Sequence, residues 1–235
     1  VLWRVAAHRR ALRAPAAGSG VRAIAPPTDT GVAAMLRDSA AYLRAHPTLR
    51  TLALAVGAVN AVIGGVTALF VLYVVQDLGL PERAYGFLLS VFAVGGLGAS
   101  FAAPALVRRF GPRACALGAL VSFSTVVVGL GLVRALPAVV PLLLAGGASG
   151  VVWDVTTISY RQRVVPAALL GRVTAVYRTI AFLGVPLGAV LLGQLAHAWD
   201  TPRAYLAGGL GLLVVAGWAM RRIGAMDLGE GAAAD

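Results

Sequence analysis

Six long stretches without charged residues divide this chain, and they constrain its fold more than any other feature. The stretches are Thr51–Val75, Ala84–Val107, Ala114–Val133, Ala135–Trp153, Thr179–Trp199 and Ala204–Met220. An α-helix needs about 20 mainly apolar residues to cross the hydrocarbon core of a bilayer, and each stretch is close to that length. We therefore predict an all-α membrane protein with six transmembrane helices.

The overall composition agrees with a protein whose main partner is the lipid bilayer. Hydrophobic residues make up 59% of the chain and charged residues 12%, whereas soluble domains have about 25% charged residues. The net charge of +11 by itself could suggest nucleic-acid binding. The arginines, however, are clustered at the ends of the apolar stretches, so no nucleic-acid partner is expected.

The arginines also predict the orientation of the helices. If the polar segments lie alternately on the two sides of the membrane, one side holds 17 of the 20 arginines, and the other holds only Arg83, Arg134 and Arg203. Short cytoplasmic loops carry excess basic residues, so the arginine-rich side is cytoplasmic. Both termini then lie in the cytoplasm, and an odd number of helices would destroy this asymmetry. The cytoplasmic loops are predicted at Arg108–Arg113 and Ser159–Arg172.

Three regions follow from this pattern. Residues 1–50 form a cytoplasmic segment, residues 51–222 the six-helix bundle, and residues 223–235 a cytoplasmic tail. Within the first region, Thr30–His46 has the spacing of a short amphipathic helix lying on the membrane surface. The proline of His46-Pro47 should end that helix, because proline disfavours the helical conformation at the preceding residue.

Small residues are abundant in the apolar stretches, as at Gly64, Gly95 and Gly188. Small residues allow close approach of helix backbones in lipid, so we interpret most of them as packing positions. Pro186 frees a backbone carbonyl and predicts a kink in the fifth helix.

Asp154 and Arg178 are charges that lie within the predicted membrane region. Ionisable residues at such depths usually face a cavity or a partner and are often functional. One hypothesis is that Asp154 binds protons or substrate. The other is a structural Asp154–Arg178 ion pair on the cytoplasmic side, and both hold if the pair breaks during transport.

Asn60 lies midway along the first helix, on one face with Gly57, Gly64 and Thr67. This face should point towards neighbouring helices or a water-filled path, so Asn60 is either a pathway residue or the donor of an interhelical hydrogen bond. Aromatic residues near the cytoplasmic interface are interpreted mainly as an interfacial belt, with drug binding as the alternative. They are Trp153, Tyr160 and Tyr177.

The sequence predicts no enzyme, no metal site and no cofactor. Ser149 lies in a glycine-rich motif that resembles the serine motif of rhomboid proteases. His197, the histidine in the predicted membrane region, lies at the extracellular end of the fifth helix. Ser149 lies towards the cytoplasmic half of the fourth helix, too far away for a serine–histidine pair. Cys115 is expected to be a buried, inert thiol, and no phosphate-binding loop is present.

Four segments resemble the major facilitator superfamily, and specifically its enterobactin and macrolide exporter branch. Ala103–Arg113 is similar to the signature loop between the second and third helices of each half, without the acidic residue of that motif. Ser159–Pro166 and Leu169–Arg178 are similar to the loop between helices ten and eleven of the exporters, and Leu43–Arg50 to the end of their central loop. The resemblance covers roughly residues 40–222.

This resemblance implies that the chain is the C-terminal half of a twelve-helix transporter, built from two three-helix inverted repeats. Helices one and four would then line a central cavity, with Asn60, Asp154 and Arg178 as candidates for the substrate or proton pathway. The cytoplasmic gate would use the loop-motif residues Arg108, Arg109, Gly111, Arg113, Arg161, Gln162, Gly171 and Arg172.

The implied function is proton-coupled export of small amphiphilic molecules, such as drugs or siderophores, across the bacterial cytoplasmic membrane. The partner would be a missing N-terminal six-helix half or a second copy of the chain. Because Val1 is followed directly by loop-like sequence, truncation is the favoured interpretation. The alternative is a stand-alone six-helix module that acts as a homodimeric channel or a non-transporting scaffold.

Overall fold

The structure is a computed structural model that describes residues 41–43 and 45–224. Most of the predicted amphipathic helix Thr30–His46, and nearly all of the predicted tail 223–235, lie outside the described residues. The last part of the amphipathic segment is helical at residues 41–43 and 45. His46 has an extended backbone, with φ −108° and ψ 94°, directly before Pro47, so the predicted end of this helix is confirmed.

Five long helices make up the described chain, and no strand occurs among these residues. α1 spans Pro47–Leu72 and continues as a π-helix over Tyr73–Asp77. The others are α2, Arg83–Leu132; α3, Leu136–Val164; α4, Ala167–Ala198; and α5, Thr201–Gly224. All five are long and apolar enough to cross a membrane.

α2 contains two of the six predicted stretches. A straight helix of 50 residues would be about 75 Å long, more than twice the thickness of a hydrocarbon core of about 30 Å. Phe92 and Val126 both lie against Gly146 of α3, although a straight helix would separate them by about 50 Å. α2 therefore doubles back, with a first arm at residues 83–110 and a second arm at 112–132.

The reversal takes place at a single residue, Gly111, whose φ of 80° and ψ of 158° are non-helical. Pro112 follows, and its fixed φ is suited to the first position of a helix. The predicted loop Arg108–Arg113 is therefore wrong in extent, because helix continues up to residue 110 and resumes at 112.

The second predicted cytoplasmic loop, Ser159–Arg172, is also mostly helical. α3 continues to Val164 and α4 begins at Ala167, which leaves only Val165 and Pro166 between them. Charge density predicts where the hydrocarbon ends, whereas a helix continues until its backbone is forced to turn. Here Pro166, with ψ 141°, provides that turn.

The helices pack in a repeated pattern. α1 lies against α4, where Gly188 is in close contact with the backbone of Ala61 and Gly64 with Val185. The first arm of α2 lies against α3 in the same manner, with Gly147 in close contact with the backbone of Phe92. Numbered by the six apolar stretches, the first (α1) packs against the fifth (α4), and the fourth (α3) packs against the second (the first arm of α2). This is the arrangement that two three-helix repeats would give.

Pro186 lies inside α4, and the helix is uninterrupted around it. The small residues on either side, Gly184 and Gly188, are in close contact with backbone atoms of α1 at Gly57 and Ala61. The segment around the proline is therefore held against a neighbouring helix, as expected for a proline in a lipid-embedded helix.

Candidate functional site

A cavity of about 120 Å³ lies between α1, the second arm of α2 and α3. Its walls combine aliphatic, aromatic and polar side chains. They are Val59, Asn60, Ile63, Ala119, Leu120, Phe123, Ser149, Gly150, Trp153 and Asp154. The two residues that the sequence selected on separate helices, Asn60 and Asp154, are therefore part of one cavity.

Asn60 is partly buried on this wall. Its side-chain amide donates a hydrogen bond of 2.9 Å to the carbonyl of Val56, one turn earlier in the same helix. Among the described residues, this amide forms no interhelical hydrogen bond of the kind that the sequence suggested. Its neighbours Gly57 and Gly64 contact Ile180 and Val185 of α4, so the predicted small-residue face does point towards a neighbouring helix. Thr67, predicted on the same face, is exposed.

Asp154 is exposed at the edge of the cavity, and the predicted ion pair with Arg178 does not form. In the described part of the chain, the ion pairs within 4 Å are Arg134–Asp77 and Arg203–Asp200. The guanidinium of Arg178 lies 5.4 Å from the ring centre of Phe182 on its own helix. The similar depth that the sequence predicted for the two residues is therefore not enough to pair them.

Arg161 is the cation that interacts electrostatically with Asp154. The sequence placed Arg161 in a cytoplasmic loop, but it belongs to the last turn of α3 and is only 8% exposed. Its guanidinium carbon lies 4.2 Å from the ring centre of Tyr177 of α4, a cation–π contact. The seven-residue spacing from Asp154, close to two helical turns, was the available signal for a shared face.

Trp153 of α3 and Tyr177 of α4 are also buried, and Tyr177 lies against Arg161. They are 5% and 6% exposed, so the prediction that they belong to an interfacial aromatic belt is wrong for both. Tyr160 is partly exposed and interacts with Thr48 at the start of α1. Thr157, also buried, donates a hydrogen bond of 2.9 Å to the carbonyl of Trp153.

Buried nitrogens without a hydrogen-bond partner among the described residues are Nε and Nη1 of Arg161 and, separately, Nε1 of Trp153. The Tyr177 side chain interacts with Arg161 and Thr157 and, electrostatically, with Asp154. A buried polar group that lacks a partner costs about 1–3 kcal/mol, and more when it is charged.

Part of the loop motif that was predicted to form the cytoplasmic gate surrounds the turn at Gly111. Arg108, Arg109 and Arg113 are exposed there, and Arg109 lies 5.3 Å from the ring centre of Phe110. The remaining motif residues are more dispersed. Gln162 and Gly171 are exposed, and Arg172 is partly buried.

The opposite end of the bundle contains contacts that the sequence did not indicate. Arg134 and Asp77 form an ion pair of 3.0 Å, and the hydroxyl of Tyr73 donates a hydrogen bond of 2.5 Å to the carbonyl of Val133. Tyr205 of α5 donates to the carbonyl of Val66 at 2.9 Å. These bonds connect α1 to the end of α2 and to α5.

No catalytic arrangement is found in the residues that the structure describes. The Ser149 hydroxyl donates to the carbonyl of Ala145 at 2.7 Å and lies 2.8 Å from the Ser122 hydroxyl. The Ser149 hydroxyl is therefore engaged by its own helix and by the second arm of α2. Within the same residues, no group of three His, Cys, Asp or Glu side chains could hold a metal ion.

Comparison with known proteins is consistent with this architecture. Residues 23–231 match the model of a major facilitator family described as transmembrane secretion effector. A comparison with curated protein sequences found no match. The family match covers most of the chain, including all five helices and the cavity. The chain therefore belongs to the transmembrane secretion effector family of the major facilitator superfamily.

Proposed function

We propose that this chain is the C-terminal six-helix half of a proton-coupled exporter of small amphiphilic molecules in the bacterial cytoplasmic membrane. Its membership of a major facilitator family supports a membrane transporter. The observation that carries the finer proposal is the cavity shared by Asn60 and Asp154. A carboxyl group at a cavity inside a membrane bundle can gain and lose a proton where a purely apolar wall cannot.

The composition of the cavity wall suits an amphiphilic substrate. Phe123, Leu120 and Ile63 provide apolar surface, and Asn60 and Ser149 provide hydrogen-bonding groups. Binding sites for small molecules typically combine a largely apolar wall with a few polar groups of this kind. A volume of about 120 Å³ is small for a drug-sized molecule, so a second six-helix half would complete the site.

Asp154 supports the proposed coupling because it lacks a salt-bridge partner within 4 Å among the described residues. A carboxylate held in a tight ion pair would resist protonation, whereas Asp154 lies exposed at the cavity edge. In the proposed cycle, this half rocks against the other half around the site, as in transporters built from two repeats. The arginines around Gly111 would hold the cytoplasmic face closed.

The coupling hypothesis is tested with the full-length gene in everted membrane vesicles. Substrates are first identified with a susceptibility panel of amphiphilic antibiotics and siderophores. Proton-driven uptake of a substrate is then compared between the wild type and Asp154→Asn. We expect the variant to lose proton-driven accumulation while it still exchanges substrate down its gradient. Unchanged coupling would eliminate the proton role of Asp154.

The proposed half-transporter organisation is tested separately. If the DNA upstream of the codon for Val1 encodes six further helices in frame, the two-half arrangement is supported. If a start codon and a ribosome-binding site directly precede Val1, the single-chain arrangement fails. Native mass spectrometry of the purified chain then shows whether a second copy provides the partner half.

A further inference from the structure

Arg161 and Tyr177, termed here the buried donor cluster, have an unbalanced chemistry. Arg161 carries a guanidinium group, yet the residue is only 8% exposed, and two of its nitrogens lack acceptors among the described residues. Its guanidinium carbon lies 4.2 Å from the ring centre of Tyr177. The N–H groups of these two nitrogens are therefore available for an acceptor.

The nearest candidate acceptor on the same helix is the carboxylate of Asp154. It precedes Arg161 by seven residues, which corresponds to about 10.5 Å along the helix axis and nearly the same face. A long arginine side chain and an aspartate side chain can together span two turns. The two groups interact electrostatically, and Tyr177 interacts with both of them.

Asp154 connects the cavity with the buried donor cluster. It is exposed at the edge of the cavity, and both members of the cluster interact with it electrostatically. A change of its side-chain rotamer is the movement that would bring the carboxylate to Arg161.

We propose that the buried donor cluster is a carboxylate-binding site inside the bundle, which receives the carboxylate of Asp154 when that side chain turns from the cavity towards Arg161. Carboxylates accept charge-assisted hydrogen bonds from guanidinium groups, and the two unpartnered nitrogens of Arg161 can donate such bonds. Asp154 would then alternate between a cavity position and a bound position. A carboxylate of a transported molecule has the same chemistry and is the second source.

This inference rests on the proposed role of Asp154, but its test requires no transport. Thermal unfolding of the purified chain in lipid nanodiscs is measured for Asp154→Asn, Arg161→Met and the double variant. We expect each single change to lower Tm by several degrees and the double change to lower it no further than the larger single effect. Such non-additivity identifies two residues that act as a pair.

Arg163→Met is the matched control, because Arg163 lies on the same helix two residues later and is exposed. It should change Tm little and add independently to Asp154→Asn. The proposal is overturned if Arg161→Met raises Tm and its effect adds to that of Asp154→Asn. That result would mean an unpaired buried charge, whose replacement by an apolar residue of similar size is stabilising.

If Arg161→Met does not fold, Arg161→Lys and Tyr177→Phe replace it in the comparison of single and double variants, and additive effects for both again overturn the proposal.

The carboxylate of a transported molecule, the second source, is tested by adding dodecanoate to Asp154→Asn, with dodecanol as the control without a carboxylate. If dodecanoate but not dodecanol restores the Tm of Asp154→Asn, and if dodecanoate does not restore the Tm of the double variant, the site also accepts an external carboxylate. Non-additivity without such recovery assigns the site to Asp154, and additivity without recovery overturns the proposal.

Discussion

The rings of Tyr73 and Tyr205 lie 5.4 Å apart and tilted by 46°, and both side chains are completely buried. Each hydroxyl donates to a backbone carbonyl of another segment, Tyr73 to Val133 and Tyr205 to Val66. The pair therefore joins three helices at the end of the bundle opposite Gly111. A large aromatic surface and a satisfied hydroxyl are combined at each position.

We predict that Tyr205→Phe destabilises the chain by about 0.5–1.5 kcal/mol, because the hydrogen bond to the partly buried carbonyl of Val66 is lost while the ring is retained. The measurement is the free energy of unfolding in mixed micelles. Tyr85→Phe is the control, since Tyr85 is only partly buried against Phe70, and it should change stability much less. Equal effects of the two substitutions would show that the hydroxyl of Tyr205 has no special role.

The ion pair of Asp77 and Arg134 should contribute much less. Its Arg134 side chain is 58% exposed, and exposed pairs contribute about 0–1 kcal/mol. Asp77→Asn should therefore lower stability only slightly, and the difference from the wild type should shrink in high salt because of screening. Unfolding measured at two salt concentrations checks this prediction. A large loss that is insensitive to salt would contradict it.

The contact of α1 with α4 depends on the absence of a side chain at Gly188. A Cβ there would clash with the backbone of Ala61, and a backbone cannot yield as a flexible side chain can. Gly188→Ala should cost about 1–3 kcal/mol through overpacking, measured as a fall in the thermal midpoint.

Gly193→Ala is the matched control for Gly188→Ala, on the same helix but with open space around its Cβ position. It should be neutral or stabilising by up to about 1 kcal/mol, because alanine favours helix over glycine. If both substitutions have the same effect, close backbone packing at Gly188 is excluded as the cause.

Sequence reasoning predicted the parts of this molecule that depend on composition along the chain. The apolar stretches predicted the helical segments, and the positions of Asn60 and Asp154 singled out two polar residues in these segments. That helices one and four would line a cavity was implied by the family resemblance, and both residues lie at one cavity. Sequence reasoning was wrong where the contacts of a side chain depend on its direction around the helix and on its rotamer. Arg178 has a suitable depth but lies beside Phe182, whereas Arg161 was assigned to a loop although it is buried beside Tyr177.

The turn at Gly111 illustrates the same limit and leads to the last prediction. Arginines there indicated a loop of six residues, but a single glycine reverses the chain. Its φ of 80° and ψ of 158° belong to a region that is essentially restricted to glycine, and other residues pay about 1–3 kcal/mol to adopt it. No atom lies within 4 Å of a Cβ at this position, so the cost of a substitution is conformational and not steric.

Gly111→Ala should therefore destabilise the chain by about 1–3 kcal/mol, measured as the free energy of unfolding. Gly118→Ala is the control, because Gly118 lies in the second arm of α2 with similar open space but without a positive φ. That change should be neutral or slightly stabilising. If Gly111→Ala is as stable as Gly118→Ala, the two arms do not require a left-handed residue between them, and the reversal must be formed by the prolines and the packing against α3.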